Sequence, residues 1–245
     1  MAWIYRFIMK LKSGISDVSK LIRHNNTSAA YKSSSVQLLT NNPIVHIACL
    51  VFLIIIIYSN TLNAPFQWDE REFIVNNPII KDLRYFTNPS AAKGFEFYGH
   101  LMERYIGYLT FALNYRMHGF SVTGYHIVNI AIHIANAVLV YLLVVLTFKT
   151  PYFAESSVKR NSRHIALFSS MLFAVHPLQT EAVTYVFQRF VPLAAMFSLM
   201  SLTAYIKARL ALTTGVKNRD SAHFLYSEDN KKWALSLFFT SLVLM

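Results

Sequence analysis

The run Trp68-Asp69-Glu70-Arg71-Glu72 holds the densest chemistry in this 245-residue chain. It follows, about ten residues on, an apolar stretch from Ala48 to Tyr58 that carries no charge. A general base for a hydroxyl or amide acceptor must be ionised and aimed, and partial desolvation raises its proton affinity. Asp69, at the rim of a bilayer between Trp68 and Glu70, suits that task. From there a carboxylate can meet a lipid-borne substrate on one side and a water-borne one on the other. Trp68 would anchor the loop at the headgroup level. Taken alone, the same four charges read first as a solvated cluster, because structural charge clusters are common.

A second polar run is His176-Pro177-Leu178-Gln179-Thr180-Glu181-Ala182-Val183, ending towards Gln188-Arg189. Pro177 suits a first helical position, and the N–H groups of a helix start favour an anion such as a lipid phosphate. Arg189 lies eight residues past Glu181, about two helical turns, so both could face one cavity. Arginine is a natural clamp for phosphate or pyrophosphate. The alternative is that Glu181 and Arg189 simply pair at the membrane edge. One His and one Glu five residues apart give no zinc spacing, and no metal is expected. A third feature is the stripe His126, Asn129, His133 and Asn136, one polar face on an otherwise apolar helix. Interhelical hydrogen bonding explains it better than a proton relay.

The elements that must position these residues are membrane helices. The chain is 54% hydrophobic and only 14% charged, with a mean hydropathy of +0.36. Soluble domains carry roughly 25% charged residues. A span needs about 20 mostly apolar residues. Spans are expected at about 43–60, 125–148, 164–175 and 186–206, with an incomplete fifth at 233–245. Residues 1–42 are expected to be a basic cytoplasmic tail with a possible interfacial helix, and 43–245 a partial transmembrane domain. The expected fold is an all-α, polytopic transmembrane bundle with a long first outer loop, truncated within its fifth span.

Net charge is +11, but sixteen of the 23 Lys and Arg fall in the N-terminal tail and the 149–164 and 207–232 loops. Those segments share one side if the spans are right. Topology therefore explains the charge better than nucleic acid does, and it places the N-terminus in the cytoplasm. Asp69, Glu70 and the His176–Glu181 loop then converge on the outer face. A lone cysteine, Cys49, excludes a disulfide framework within the chain. No phosphate-cradling glycine loop, Gly-x-Ser-x-Gly elbow or His-Glu-x-x-His motif is present.

The order of motifs resembles the GT-C superfamily of membrane glycosyltransferases, in its protein O-mannosyltransferase-like branch with tetratricopeptide repeats. The likeness rests on Tyr58 to Asn63, Phe66-Gln67-Trp68-Asp69-Glu70, Asn76-Asn77-Pro78, Arg104 to Thr110, Gly124 to Asn129 and His176 to Val183. It implies a polyprenyl-phosphate-linked sugar as donor, a protein or glycan acceptor, no cofactor, and a first outer loop with helices along the membrane. It implies Asp69 as the base, with Glu70 helping to position the acceptor. Arg104, His176, Glu181 and Arg189 are the expected substrate-binding residues, the last three near the leaving phosphate. The expected location is a multi-pass membrane protein, with a bacterial plasma membrane ahead of an ER membrane. Two other classes remain at this point. One is a catalytically inactive membrane scaffold. The other is a transporter subunit, weakened by a stripe without an acidic member and by the lack of a broken helix pair.

Overall fold

The structure, a computed structural model, describes residues 41–215, with side chains to residue 211. The expected interfacial helix, nearly all of the basic tail and the fifth span at 233–245 lie outside the described residues. The chain divides into two units, Met1–His46 and Ile47–Met245. In the first, Asn42 Oδ1 accepts the Ile44 N–H at 2.9 Å. Pro43, whose missing N–H costs nothing at a helix start, opens the first helix there.

Among the described residues every regular element is helical. Helix α1 is Pro43–Tyr58, followed by α2 Arg84–Thr87, α3 Tyr98–Glu103, α4 Tyr105–His118 and α5 Val122–Thr147. Then come α6 Ser162–Val175, α7 Leu178–Thr184 and α8 Phe190–Gly215. Among the described residues three stretches are long and apolar enough to cross a membrane: Pro43–Thr61, Val122–Thr147 and Val186–Ala211. The 14 residues of α6 span about 21 Å, short of a 30 Å hydrocarbon core. The chain is thus an all-helical, polytopic membrane protein.

Residue spacing decides which faces meet. In α1, Leu50, Ile54 and Tyr58 are buried at intervals of four, while Phe52, Ile55 and Ile56 are exposed. An aliphatic face open to solvent is unfavourable in water and suits lipid. In α6 the small residues Ala166, Ser170 and Ala174 are buried at the same spacing. Small side chains let helix backbones approach closely where hydrophobic burial gives no driving force.

The stripe on α5 faces the protein, and each member bonds a main-chain carbonyl. Nε2 of His126 donates to Ala64 at 3.0 Å, and Nε2 of His133 to Ala174 at 3.1 Å. The Asn129 and Asn136 amides donate to Val183 at 3.3 Å and to Pro192 at 2.8 Å. The carbonyls of Ala64, Ala174 and Val183 lie in a connection or in the last turn of a helix, where no intrahelical N–H reaches them, whereas that of Pro192 lies in the first turn of α8. The stripe is therefore packing, as the interhelical reading expects.

Residues 62–121 are more than a loop. Ile74, Ile79, Ile80, Phe86 and Leu101 are buried there in one apolar cluster with Tyr108, Phe111 and Phe190. A tight contact seals it: a Cβ on Gly107 would lie 2.2 Å from Cδ1 of Phe190. That ring is itself packed by Tyr108, Phe111 and Phe187, so it has little room to yield. Gly107→Ala is expected to destabilise the protein by about 1–3 kcal/mol through overpacking. Denaturant titration of purified protein checks this; an unchanged midpoint would show that Phe190 moves freely.

Candidate functional site

The Asp69 run begins with a turn. The Glu70 N–H bonds the Gln67 carbonyl at 2.9 Å, and Glu70 Oε2 accepts the Gln67 N–H at 2.8 Å. The side chain reaches back three residues, as the glutamate of a capping box does. Trp68, within this turn, has φ +41° and is 84% exposed. A non-glycine residue in that region carries backbone strain. A π-helical turn, Arg71–Val75, follows at once; such turns recur at functional sites.

The two neighbouring acids have opposite surroundings. Asp69 is exposed. Glu70 is 2% exposed, and its Oε1 accepts the N–H groups of Val186 and Phe187, the latter at 3.3 Å. Those N–H groups open the last described span, where a negative charge is favoured. Glu70 thus staples the segment after α1 to the turn Val186–Arg189 that precedes α8 and brings its neighbour Asp69 beside residues 185–188. Burial pushes the Glu70 carboxyl up, while the three N–H bonds and the charge of His126 pull it back.

That shift has a consequence for stability. The folded protein holds this proton more tightly than the unfolded chain does. The contribution of Glu70 to stability is therefore expected to fall as pH rises from the ordinary carboxylate range to its raised folded value, and to stay flat above it. Glu70→Gln removes the titration and should flatten that slope. Thermal retention of the folded state in detergent, measured across pH for both proteins, reads it; identical slopes would mean another group is responsible.

Asp69 lines a cavity of about 270 Å³ with Arg104, Phe187, Gln188, Phe190, Val191 and Ala194. Arg104 closes α3, and its guanidinium lies 5.2 Å from the Phe190 ring centre. One side of the cavity is thus a carboxylate, a guanidinium and an amide, and the other is apolar residues at the start of a membrane span. Tyr185, which spacing does not single out, stands next to the stapled Val186. Burial, then the charges of Asp69 and Glu70, push its phenol up. Only the fold brings residues 69, 104 and 185–188 together; no local spacing signals it.

The other expected site residues lie apart from the cavity. His176 is exposed, and its Nδ1 accepts the Leu178 N–H at 3.3 Å. The next N–H groups, of Gln179 and Thr180, bond the His176 and Pro177 carbonyls, so the start of α7 has local partners. Glu181 is exposed on α7.

Arg189 is 0% exposed. Its Nε donates to Asn129 Oδ1 at 2.7 Å, Nη1 to Asn114 Oδ1 at 2.7 Å and Thr110 Oγ1 at 3.3 Å, and Nη2 to the Tyr125 carbonyl at 3.0 Å. The Phe111 ring centre lies 4.5 Å from the guanidinium. These neutral acceptors lock α4, α5 and the start of the last span together.

The site therefore belongs to a helical membrane protein that gathers acidic, basic and aromatic groups at one end of its spans. No known family profile and no solved structure matches the chain. It is similar to a protein O-mannosyl-transferase of Caenorhabditis elegans, 36% identical over 166 residues, 65% of this chain and 23% of that protein. Protein O-mannosyl-transferase TMTC4 of Homo sapiens is 31% identical over 201 residues, 78% of this chain and 25% of that protein. Human protein O-mannosyl-transferase TMTC1 is 33% identical over 154 residues, 60% of this chain and 16% of that protein. The chain is thus similar over part of its length to protein O-mannosyl-transferases. It spans about a quarter or less of the length of these relatives. They are animal proteins, so the expectation of a bacterial plasma membrane finds no support, whereas a membrane location stands.

Proposed function

We propose that this chain forms part of a membrane glycosyltransferase that moves a sugar, mannose by analogy with its relatives, from a polyprenyl-phosphate donor to a protein hydroxyl. The observation that carries this reading is the shared cavity of Asp69 and Arg104 at the start of a membrane span. Asp69 takes the proton of the acceptor hydroxyl as its oxygen bonds to the anomeric carbon. The bond from that carbon to the phosphate oxygen breaks, and the lipid phosphate leaves with the electron pair. Arg104 meets the negative charge that grows there, and preorganised charge at a developing anion is where electrostatic catalysis acts. The apolar wall of Phe187, Phe190 and Val191 suits the first isoprene units of the donor.

In this reading Glu70 aims Asp69 rather than touching substrate, and Arg189 holds the scaffold. His176 and Glu181, exposed on the same end, remain within reach of an acceptor. The site faces away from the cytoplasm, on the side opposite the basic loops.

The test is donor binding and transfer with the full chain in nanodiscs, using polyprenyl-phosphate mannose and a Ser/Thr-rich peptide. Donor binding that weakens in Arg104→Gln, with transfer to the peptide, is the expected result. Donor binding indifferent to Arg104 would overturn the assignment.

A further inference from the structure

The connection between α5 and α6, residues 148–161, lies far from the Asp69 cavity. Helix α5 starts near that cavity, where the Tyr125 carbonyl accepts from Arg189, the residue between the lining residues Gln188 and Phe190, and it ends at Thr147. Its 26 residues place the connection about 39 Å away, at the other membrane face. The connection is short and structured, with 3₁₀ turns at Pro151–Phe153 and Ser157–Asn161. Ser156 Oγ accepts the Val158 N–H at 3.3 Å and starts the second turn. Phe153 packs against both Phe148 and Tyr152, each at 5.0 Å between ring centres.

Two properties of this surface go together. Tyr152 is 88% exposed and Val158 47% exposed, although both are apolar enough to be buried. Lys149, Lys159 and Arg160 are exposed around them, against a single acid, Glu155, in the segment. The chain leaves the bilayer at the end of α5 and turns back into the apolar helix α6 fourteen residues later, so this surface cannot move far from the headgroups. Aromatic residues favour that depth. The charge bias of the sequence makes this the cytoplasmic face, the leaflet where anionic lipids concentrate and attract basic segments beside a span.

We propose that residues 148–161 form a binding site for anionic lipid headgroups. Lys149, Lys159 and Arg160 pair with the headgroup anions, while Tyr152 and Val158 sit among the tops of the acyl chains. This site is independent of the transferase reading and stands or falls separately from it.

The experiment labels Val158→Cys with an environment-sensitive fluorophore in the full chain, with Cys49→Ser removing the native thiol. The labelled protein is reconstituted into vesicles of phosphatidylcholine alone or with phosphatidylserine. A blue shift specific to phosphatidylserine vesicles is expected, reversed by high salt because exposed charge pairs are screened. Replacing Lys149, Lys159 and Arg160 together by Gln should abolish the shift. Retention of phosphatidylserine through purification should fall on the order of fivefold for each cation removed. Equal emission in both vesicle types would mean that apolar insertion alone places the segment, and overturns the proposal. So would a shift that survives the triple substitution. The salt titration of the protein with its native charges decides the matter even if the triple variant folds poorly.

Discussion

Asp69→Asn is expected to lower sugar transfer by about two to four orders of magnitude, the usual worth of a positioned general base. Asparagine keeps the size of the side chain but cannot take the acceptor proton. Because Asp69 is exposed and Glu70 carries the staple to Val186 and Phe187, the fold should not notice the change. Donor binding through Arg104 and membrane insertion should be retained. The measurement is single-turnover transfer from polyprenyl-phosphate mannose, with donor binding in the same samples. Turnover within a few-fold of the native protein would remove Asp69 from the role of base. The matched change at Glu70 separates the two acids. Glu70→Gln should reduce transfer together with thermal stability, since it loosens the loop that aims Asp69.

The largest structural effect is expected at Arg189. Truncation to Ala strands the Asn114 and Asn129 side-chain oxygens in a dry interior and leaves the Tyr125 carbonyl with its intrahelical partner alone. Each unsatisfied group costs about 1–3 kcal/mol, so a total loss above ~3 kcal/mol is expected. Arg189→Lys should recover little. A lysine ammonium is a single compact point with three donors, whereas the guanidinium here reaches four acceptors through a planar fork. Unfolding in mixed micelles on raising the denaturing detergent reads both variants. A lysine variant as stable as the native protein would show that the charge alone matters. Among the described residues no carboxylate pairs with this cation. Its stabilisation therefore comes from dipoles and from the face of the Phe111 ring.

Much of the architecture was legible in the residues. A bilayer demands long uncharged helices, so Ala48 to Tyr58 and the stretch after Tyr125 announce themselves by length and hydropathy alone. The polar stripe on α5 was readable for a related reason. Lipid penalises such a face, so His126, Asn129, His133 and Asn136 had to turn inward. The motif order from Tyr58 to Val183 pointed to the transferase relatives. The partners of these groups were not legible. His126 bonds a carbonyl 62 residues away and Asn136 one 56 residues away, and nothing local encodes such pairs.

By itself, then, the sequence determined an all-helical membrane protein with two polar motifs at one end of its spans. Periodicity and hydropathy are local, and the bilayer reads them directly. The tertiary structure alone decided what each charged residue does. Asp69 and Glu70 are adjacent in the chain, yet one opens to a cavity and the other is buried as a staple. Arg104 and Arg189 are chemically identical, yet one faces that cavity and the other is enclosed by neutral oxygens. Whether a charge is free to meet a substrate depends on which distant backbone groups reach it first, and only packing settles that.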